Sequence, residues 1–268
     1  MKISFMTFAC PTWSFDQVLD AATAIGYHGI EFRCDANHRH GVEISAPKDE
    51  RLAFRDRLEG AAVEPCCLAT SLRFVADDVL GDVPDRLELA VDLGCPALRV
   101  FCGKPPDDMG RSEMIAIAAS HLRDAAEMAA QHDLELWLET HDAICRAADA
   151  VAIVRQADHP AVAINWDNMH PLRAGESLDA TIAQITGLIR HTHFHDAPAD
   201  PEQFIITPLD QGGMPMDDMF QALIRMGFDG YLSGEWFDDQ YGPTPEEAIA
   251  QYHSDMTRLA QRNHITLG

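Results

Sequence analysis

The segment His191–Asp196, with the sequence HTHFHD, places three histidines and an aspartate within six residues. In a β-strand alternate side chains share one face, so His191, His193 and His195 would point the same way. Imidazoles in this arrangement can hold a metal ion, pack in a core or decorate a surface. The choice depends on which residues stand at the ends of the neighbouring strands.

Strand-like and helix-like segments alternate along the chain in eight strand–helix units. The first strand-like segment, KISFMTF, precedes a helix that starts at Ser14, where Gln17 completes a capping box. Alternation with short connections predicts parallel strands. The pattern therefore favours a single (β/α)8 TIM barrel domain over residues 1–268. An open doubly wound sheet would normally have a Gly-rich phosphate turn where this chain has ACPTWS.

Four consecutive late strands end in side chains that suit a divalent cation. In such a barrel, chemistry takes place at the C-terminal ends of the strands. The side chains found there are Glu139 after LWL, Asp167 after AINW, His193 within HTHF and Glu235 after YLSG. Three carboxylates and one imidazole predict a site for one Mn²⁺, Mg²⁺, Co²⁺ or Zn²⁺ ion. Each residue alone is more typical of a solvated rim or a packed core, so the prediction depends on their convergence.

Composition narrows the classes of partner. The chain has 20 Lys and Arg against 43 Asp and Glu, and its net charge of −23 argues against nucleic acid and membrane partners. The seven cysteines form no CxxC pair and are expected to be reduced, mostly buried thiols in a cytoplasmic protein. The start, MKISFMTFACPTWS, predicts a strand and not a signal peptide. A homo-oligomer is compatible with the fold, but no residue pattern identifies its interface.

Several segments resemble those of the sugar-phosphate isomerase/epimerase superfamily, a group with a xylose isomerase-like TIM barrel that also contains endonuclease IV. The segments are LETHD, INWDNMH, HTHFHD and PLDQGGMPMDDMFQALIRMGFDGYLSGEW, together with GYHGIEFR and LRVFCGK in the second and fourth strand regions. The similarity thus spans nearly the whole chain. It implies that Glu139, Asp167, His193 and Glu235 bind the metal ion and that His170 contacts the substrate.

Further side chains near the strand ends are candidates for substrate binding or support. Arg99 and Lys104 are the best candidates to meet an anionic substrate group, although pairing of Arg99 with barrel carboxylates is an equal alternative. His141 is a candidate substrate contact, and His195 is either a substrate contact or a solvated edge residue. Asp196 either accepts a hydrogen bond from a ligand histidine and so orients its ring, or caps its own loop.

The predicted reaction is proton transfer by Glu139 and Glu235 through a metal-stabilised enediolate of a small-molecule substrate. This predicts a sugar or sugar-phosphate isomerase or epimerase. If a β-hydroxyl leaves, the same site becomes a dehydratase of a cyclic polyol or keto acid such as inosose or 3-dehydroshikimate, with His170 or His141 as the acid. The ketose 3-epimerases of the superfamily carry an arginine where this chain has DAPADP and a second glutamate where it has Cys145, which disfavours that activity.

Three other classes remain as less favoured alternatives. An endonuclease acting on abasic DNA would need a basic face, which the charge of −23 opposes. A hydride-shift aldose isomerase would need two metal ions. A non-catalytic barrel that binds a ligand or a metal would have no need of both candidate acid–base glutamates.

Overall fold

The computed structural model describes residues 1–198, 200, 203 and 205–268. Within these residues, parallel strands close into a barrel in sequence order, which confirms the predicted (β/α)8 fold. The strands are β1 (Lys2–Met6), β2 (Gly29–Arg33), β3 (Glu64–Arg73), β4 (Ala97–Phe101), β5 (Glu135–Glu139), β6 (Val162–Asp167), β7 (Ile189–His193) and β8 (Tyr231–Gly234).

Helices pack around the barrel, and the Ser14 capping box predicted for the first of them is present. They are α1 (Phe15–Ile25), α2 (Lys48–Ala61), α3 (Val79–Leu93), α4 (Arg111–Ala130), α5 (Ala147–Ala157), α6 (His170–Arg173), α7 (Leu178–Ile185), α8 (Met216–Met226) and α9 (Pro245–Arg262). No helix in the described part of the chain combines the length and hydrophobicity needed to cross a membrane.

Successive side chains of each strand point alternately outward to the helices and inward to the barrel interior. On β2, Phe32 points outward and stacks on Phe15 of α1, with ring centroids 5.7 Å apart. Its neighbours Glu31 and Arg33 therefore point inward, with Arg33 closer to the C-terminal mouth. The same alternation makes the inward side chains of the other strands converge on the barrel axis.

The lower part of the barrel is filled by side chains, so the interior is a packed core with an open upper end. Cys67, Ala97, Trp137 and Ala163 form an apolar cluster there. The ring of Trp137 stacks on the imidazole of His191 at 5.3 Å between centroids, which separates this cluster from the polar residues above it. All seven cysteines are free thiols, and only Cys145 is not buried, in line with the expectation of reduced, mostly buried thiols.

Candidate active site

The four predicted metal ligands come together at the mouth of the barrel. Glu139, Asp167 and His193 are the last residues of β5, β6 and β7, and Glu235 directly follows β8. Each offers one ligand atom, and these four atoms all lie within 4.8 Å of one another. Because parallel strands of a closed barrel end at the same rim, residues distant in sequence meet at one point.

The chemistry of the donor set fits a divalent cation. Glu139 Oε2 and Asp167 Oδ2 are buried, and neither accepts a hydrogen bond from any described residue. Buried carboxylate oxygens without hydrogen bonds are costly unless charges compensate them. Arg99 Nε and His195 Nε2 each lie 3.2 Å from one of these oxygens, and a bound cation would add to this compensation. Oxygen and imidazole donors suit Mn²⁺, Mg²⁺, Co²⁺ or Zn²⁺, so the residues present fit the predicted ion.

A second acidic side chain, Glu31, supports the histidines from below. Its Oε1 lies 3.1 Å from His193 Nε2, while its Oε2 lies 2.9 Å from His191 Nε2 and accepts a hydrogen bond of 2.7 Å from Ser233 Oγ. A proton on His193 Nε2 would be donated to Glu31. That tautomer leaves His193 Nδ1 facing Glu139 Oε1 at 3.1 Å and Glu235 Oε2 at 2.9 Å, free to bind a cation.

Glu139 is held by a cation from the opposite side of the barrel. Arg99 Nε lies 3.2 Å from Glu139 Oε2, and both side chains are fully buried. Burial raises the pKa of Glu139, but His193 and Arg99 together lower it to about 2, so this carboxyl group is ionised at neutral pH. Arg99 therefore has the barrel carboxylate as its partner, the alternative to substrate binding that the sequence left open.

A pocket opens above the four donors. The empty space inside the pocket, including the part open to solvent, is about 360 Å³. This volume is small for a ligand-binding site. Its polar lining comes from Asp167, Glu235, His141, His170, His195 and Gln240, and its apolar wall consists of Phe8, Met169, Ile206, Trp236 and Phe237. Such a pocket can exclude water from a small polar molecule while presenting carboxylates and imidazoles to it.

Three histidines of the pocket differ in their electrostatic surroundings. Burial lowers the pKa of each, and for His170 this effect prevails. The pKa of His195 is raised by Asp167, whose carboxylate lies 3.2 Å from its Nε2. A hydrogen bond to Asp142 and the charge of Glu139 raise the pKa of His141 to about 9. The rings of His141 and His170 meet edge to face at 4.6 Å, so a more basic and a less basic imidazole lie side by side.

The remaining predicted site residues lie in different places. His195 is 2% exposed, so it is not a solvated edge residue. Lys104 is exposed on the loop after β4 and is not among the described residues that line the pocket. The Asp196 carboxylate accepts hydrogen bonds from the backbone N–H groups of Ala197, Gly212 and Met214, at 2.8 to 3.0 Å, which is the loop-capping alternative.

Sequence reasoning missed Glu31 and Arg33, both in the segment GIEFR. The segment was interpreted as a short buried strand, in which charged residues at alternate positions are unusual. That alternation is the signal that could have found them, because it places both charged side chains inside the barrel. A buried charge needs a partner, so each of the two indicates a site.

Comparison with known proteins agrees with this geometry. A family model described as a xylose isomerase-like TIM barrel matches residues 19–259. The chain is 25% identical over 167 residues to the 2-oxo-tetronate isomerase of Pectobacterium atrosepticum, a match that covers 60% of this chain and 62% of that protein. The aligned part thus spans about three fifths of that relative's length.

A longer match is to the 3-dehydroshikimate dehydratase of Bacillus anthracis, at 23% identity over 258 residues, covering 88% of this chain and 91% of that protein. Among solved structures, the IOLI protein with a bound zinc atom superposes with a TM-score of 0.84 at 19% identity, covering 98% of this chain and 99% of that one. At this identity the structural likeness shows the shared barrel alone. The relatives are enzymes, named as an isomerase and a dehydratase.

Proposed function

This chain belongs to the family of xylose isomerase-like TIM barrels, and on that premise we propose that it is a divalent-metal-dependent isomerase or epimerase of a small hydroxy-carbonyl compound of the sugar class. The observation that carries the proposal is the convergence of four ligand atoms from Glu139, Asp167, His193 and Glu235 within 4.8 Å of one another. A cation held there would polarise a substrate carbonyl and its neighbouring hydroxyl as a Lewis acid.

The two glutamates are the proposed acid–base pair. Glu235 is 20% exposed and lines the pocket, so it can take the proton from the carbon next to the carbonyl. The electron pair of the broken C–H bond then forms an enediolate. Glu139, on the other side of the donor cluster and ionised at the start, takes the proton of the neighbouring hydroxyl and then returns it to carbon, while Glu235 passes its proton to oxygen. Return to the same carbon from the opposite face inverts it. Return to the neighbouring carbon, with the proton from Glu235 going to the former carbonyl oxygen, isomerises the substrate.

The other pocket residues have binding roles in this proposal. His170 and His141 stand together at the mouth, where imidazoles can donate or accept hydrogen bonds from substrate hydroxyl groups. His195 holds Asp167, with 3.3 Å between its Nε2 and Asp167 Oδ1, and thereby fixes a donor of the metal site. Phe8, Trp236 and Phe237 would exclude water from the enediolate.

A dehydratase is the second candidate, and the pair of imidazoles at the mouth favours it. In that reaction a β-hydroxyl leaves as water and needs a proton donor near the site of C–H cleavage. His141 or His170 could supply that proton, since both line the pocket beside Glu235. The match over 88% of the chain to a 3-dehydroshikimate dehydratase adds support.

Hydrogen–deuterium exchange followed by NMR tests the proposal. Protein treated with EDTA and reconstituted with Mg²⁺ is incubated in D₂O with ketose phosphates, 2-oxo sugar acids, inososes and 3-dehydroshikimate. We expect cation-dependent deuterium uptake next to the carbonyl of one class, and the product separates isomerase from dehydratase. Losing either general acid–base group costs on the order of 10²- to 10⁴-fold in rate, so Glu139→Gln and Glu235→Gln should both be nearly inactive.

Glu127→Gln is the matched control, because Glu127 is an exposed glutamate near the C-terminal end of α4, at the end of the barrel opposite to the mouth. Exchange that proceeds at the normal rate in Glu139→Gln and Glu235→Gln would refute the proposed acid–base roles. The same measurement with Mn²⁺, Co²⁺ and Zn²⁺ identifies the cation that supports the fastest exchange.

A further inference from the structure

Arg33 stands on the inner face of β2, one layer above Glu31. Side chains two residues apart in a strand point to the same side. Glu31 contacts His191 and His193 in the barrel interior, so Arg33 points into the same space but nearer to the mouth. Its side chain belongs to the early half of the rim, whereas the predicted metal ligands all come from β5 to β8.

The guanidinium of Arg33 is buried without a carboxylate partner. Arg33 is 7% exposed, and no ion pair joins it to an Asp or Glu in the part of the chain that the structure describes. This is unusual, because buried arginines in proteins are almost always paired. A buried arginine without an acidic partner is still more unusual in a chain with 43 acidic residues.

The acidic groups near Arg33 are already engaged with other partners. Glu43 accepts hydrogen bonds of 2.6 to 3.0 Å from the backbone N–H groups of residues 35 to 37. Asp35 pairs with Arg86 at 2.8 Å and accepts a hydrogen bond of 2.9 Å from the backbone N–H of Ser71. These carboxylates therefore shape the loop after β2 and leave the charge of Arg33 without a direct counterion.

Hydrogen bonds fix the orientation of Arg33 and leave part of its donor capacity unused. Nη1 donates to the carbonyl oxygens of Cys34 and Ala69, and Nη2 donates to Ser71 Oγ. A guanidinium has five N–H donors, so two remain. One of them is on Nε, which is buried and has no hydrogen-bond partner among the described residues.

Arg33 is not among the described residues that line the pocket, but it lies against one of them, Phe8. The guanidinium centre lies 5.4 Å from the centroid of the Phe8 ring, and Phe8 lines the pocket together with Asp167 and Glu235. A second cation, Arg99, is close enough to contribute, after burial, to the lowering of the pKa of Arg33 to about 10. Arg33 is thus cationic at neutral pH, and an anion beside it would be attracted by both arginines.

We propose that Arg33 is the residue that binds the carboxylate of the substrate, which makes this barrel an enzyme for a small hydroxy acid with an oxo group. The inference rests on the proposed function for the other end of the substrate, where the carbonyl and hydroxyl face Glu139 and Glu235. Two free donors on a fixed, planar guanidinium match the two oxygens of a carboxylate. The same two donors can also bind two oxygens of a phosphate, so a phosphate probe is needed beside the carboxylate probe.

Binding of three matched probes tests this assignment. Glycerate carries a carboxylate, glycerol replaces it by a hydroxymethyl group, and glycerol 3-phosphate carries a phosphate. None has an aldehyde or ketone group, so none can be turned over through an enediolate. Dissociation constants are measured by ligand-observed NMR titration with the Mg²⁺-loaded protein and its variants. Charge-assisted hydrogen bonds lead us to expect glycerate to bind about 10- to 100-fold more tightly than glycerol.

Arg33→Gln should remove this preference for glycerate and leave the weak binding of glycerol unchanged, while Arg33→Lys should keep part of it. Arg39→Gln is the matched control, because Arg39 is an exposed arginine of the loop after β2. Its replacement changes the net charge of the protein by the same amount as Arg33→Gln. A folded Arg33→Gln variant that keeps the wild-type ratio would overturn the assignment. Tighter binding of glycerol 3-phosphate than of glycerate, dependent on Arg33, would overturn the carboxylate class.

Two further measurements keep the inference testable. If Arg33→Gln does not fold, the Nε–H signal of Arg33 in ¹⁵N-arginine-labelled wild-type protein should shift with glycerate and not with glycerol; an unmoved signal counts against the proposal. The Nε–H signal is assigned with Arg33→Lys. Since the probes report binding alone, Arg33-dependent binding without deuterium exchange would contradict the proposed reaction, and exchange without such binding would contradict only this inference.

Discussion

The early and late strands differ in the buried charges that they place near the barrel mouth. In the late half, Glu139, Asp167 and Glu235 stand at the ends of β5, β6 and β8. In the early half, Arg33 on β2 and Arg99 on β4 are buried cations, and Glu31 lies one layer below Arg33. Because the strands are equivalent in geometry, this asymmetry must come from side-chain choice. Under the two proposals above, it gives the site a cation-binding end and an anion-binding end.

The two halves also differ in how their charges are held. Each late carboxylate has a histidine within 3.2 Å, either His193 or His195. Arg33 is held mainly by uncharged oxygens of the backbone and of Ser71. Arg99 joins the halves through its ion pair with Glu139. The carboxylates of the late half thus lie beside imidazoles, and Glu139 also beside Arg99, whereas the hydrogen bonds of Arg33 go to uncharged oxygens.

Breaking the link between the halves should have the largest effect. Arg99→Met removes the cation but keeps most of the side-chain volume, leaving Glu139 as a buried charge short of a partner. Removing one member of a buried ion pair typically costs about 3–5 kcal/mol, so the free energy of unfolding should fall by that amount. Urea denaturation at pH 7 in the absence of divalent cations measures it.

The double variant Arg99→Met/Glu139→Gln serves as the control for this pair. Removing both charges should restore much of the lost stability, because no uncompensated charge remains. If the double variant loses as much as the sum of the two single variants, the ion pair does not couple the halves.

Weakening the support of the late half should have a smaller effect. Glu31→Gln keeps the size of the side chain but replaces the carboxylate facing both His191 and His193 with an amide. Loss of a residue that hydrogen-bonds to a metal ligand lowers the affinity for the metal by about 10- to 100-fold. Calorimetric titration with Zn²⁺ measures the affinity directly. Glu64→Gln, at an exposed glutamate where β3 begins, should bind Zn²⁺ like the wild type. An unchanged affinity in Glu31→Gln would contradict the supporting role.

The stability contributed by the hydrogen bonds that support the backbone of Arg33 should depend on pH. His40 Nδ1 accepts a hydrogen bond of 3.0 Å from the backbone N–H of Val42, and its Nε2 lies 3.1 Å from Thr7 Oγ1. Thr7 Oγ1 in turn accepts a hydrogen bond of 2.9 Å from the backbone N–H of Arg33. Burial, assisted by the nearby His38, lowers the pKa of His40 from 6.5 to about 3.

Between pH 6.5 and about 3, the unfolded chain therefore binds a proton at His40 that the folded protein does not. Stability from this group is present above pH 6.5 and falls on acidification, by at most about 1.4 kcal/mol per pH unit. In urea denaturation between pH 7 and 5, His40→Gln should flatten the slope. His264→Gln, at an exposed histidine, should not. Equal slopes in His40→Gln and the wild type would show that His40 does not couple this loop to pH.

Much of the fold and the donor set could be predicted because the signals are local. Segments such as KISFMTF and the capping box at Ser14 indicate strand and helix without reference to the rest of the chain. Once the alternation implies a barrel, the ends of parallel strands must share a rim. The convergence of Glu139 and Glu235 then follows, although they lie 96 residues apart in the sequence.

The sequence by itself thus determined the barrel and the four strand-end side chains that meet at its mouth. Only the tertiary structure decided which charges neutralise one another across the barrel. It pairs Arg99 with Glu139, places Glu31 beneath His191 and His193, and gives Arg33 Nε no hydrogen-bond partner among the described residues. The physical reason is that such partnerships depend on distances of a few ångströms between side chains of different strands. Strand alternation sets the face of a residue but not its neighbour across the barrel.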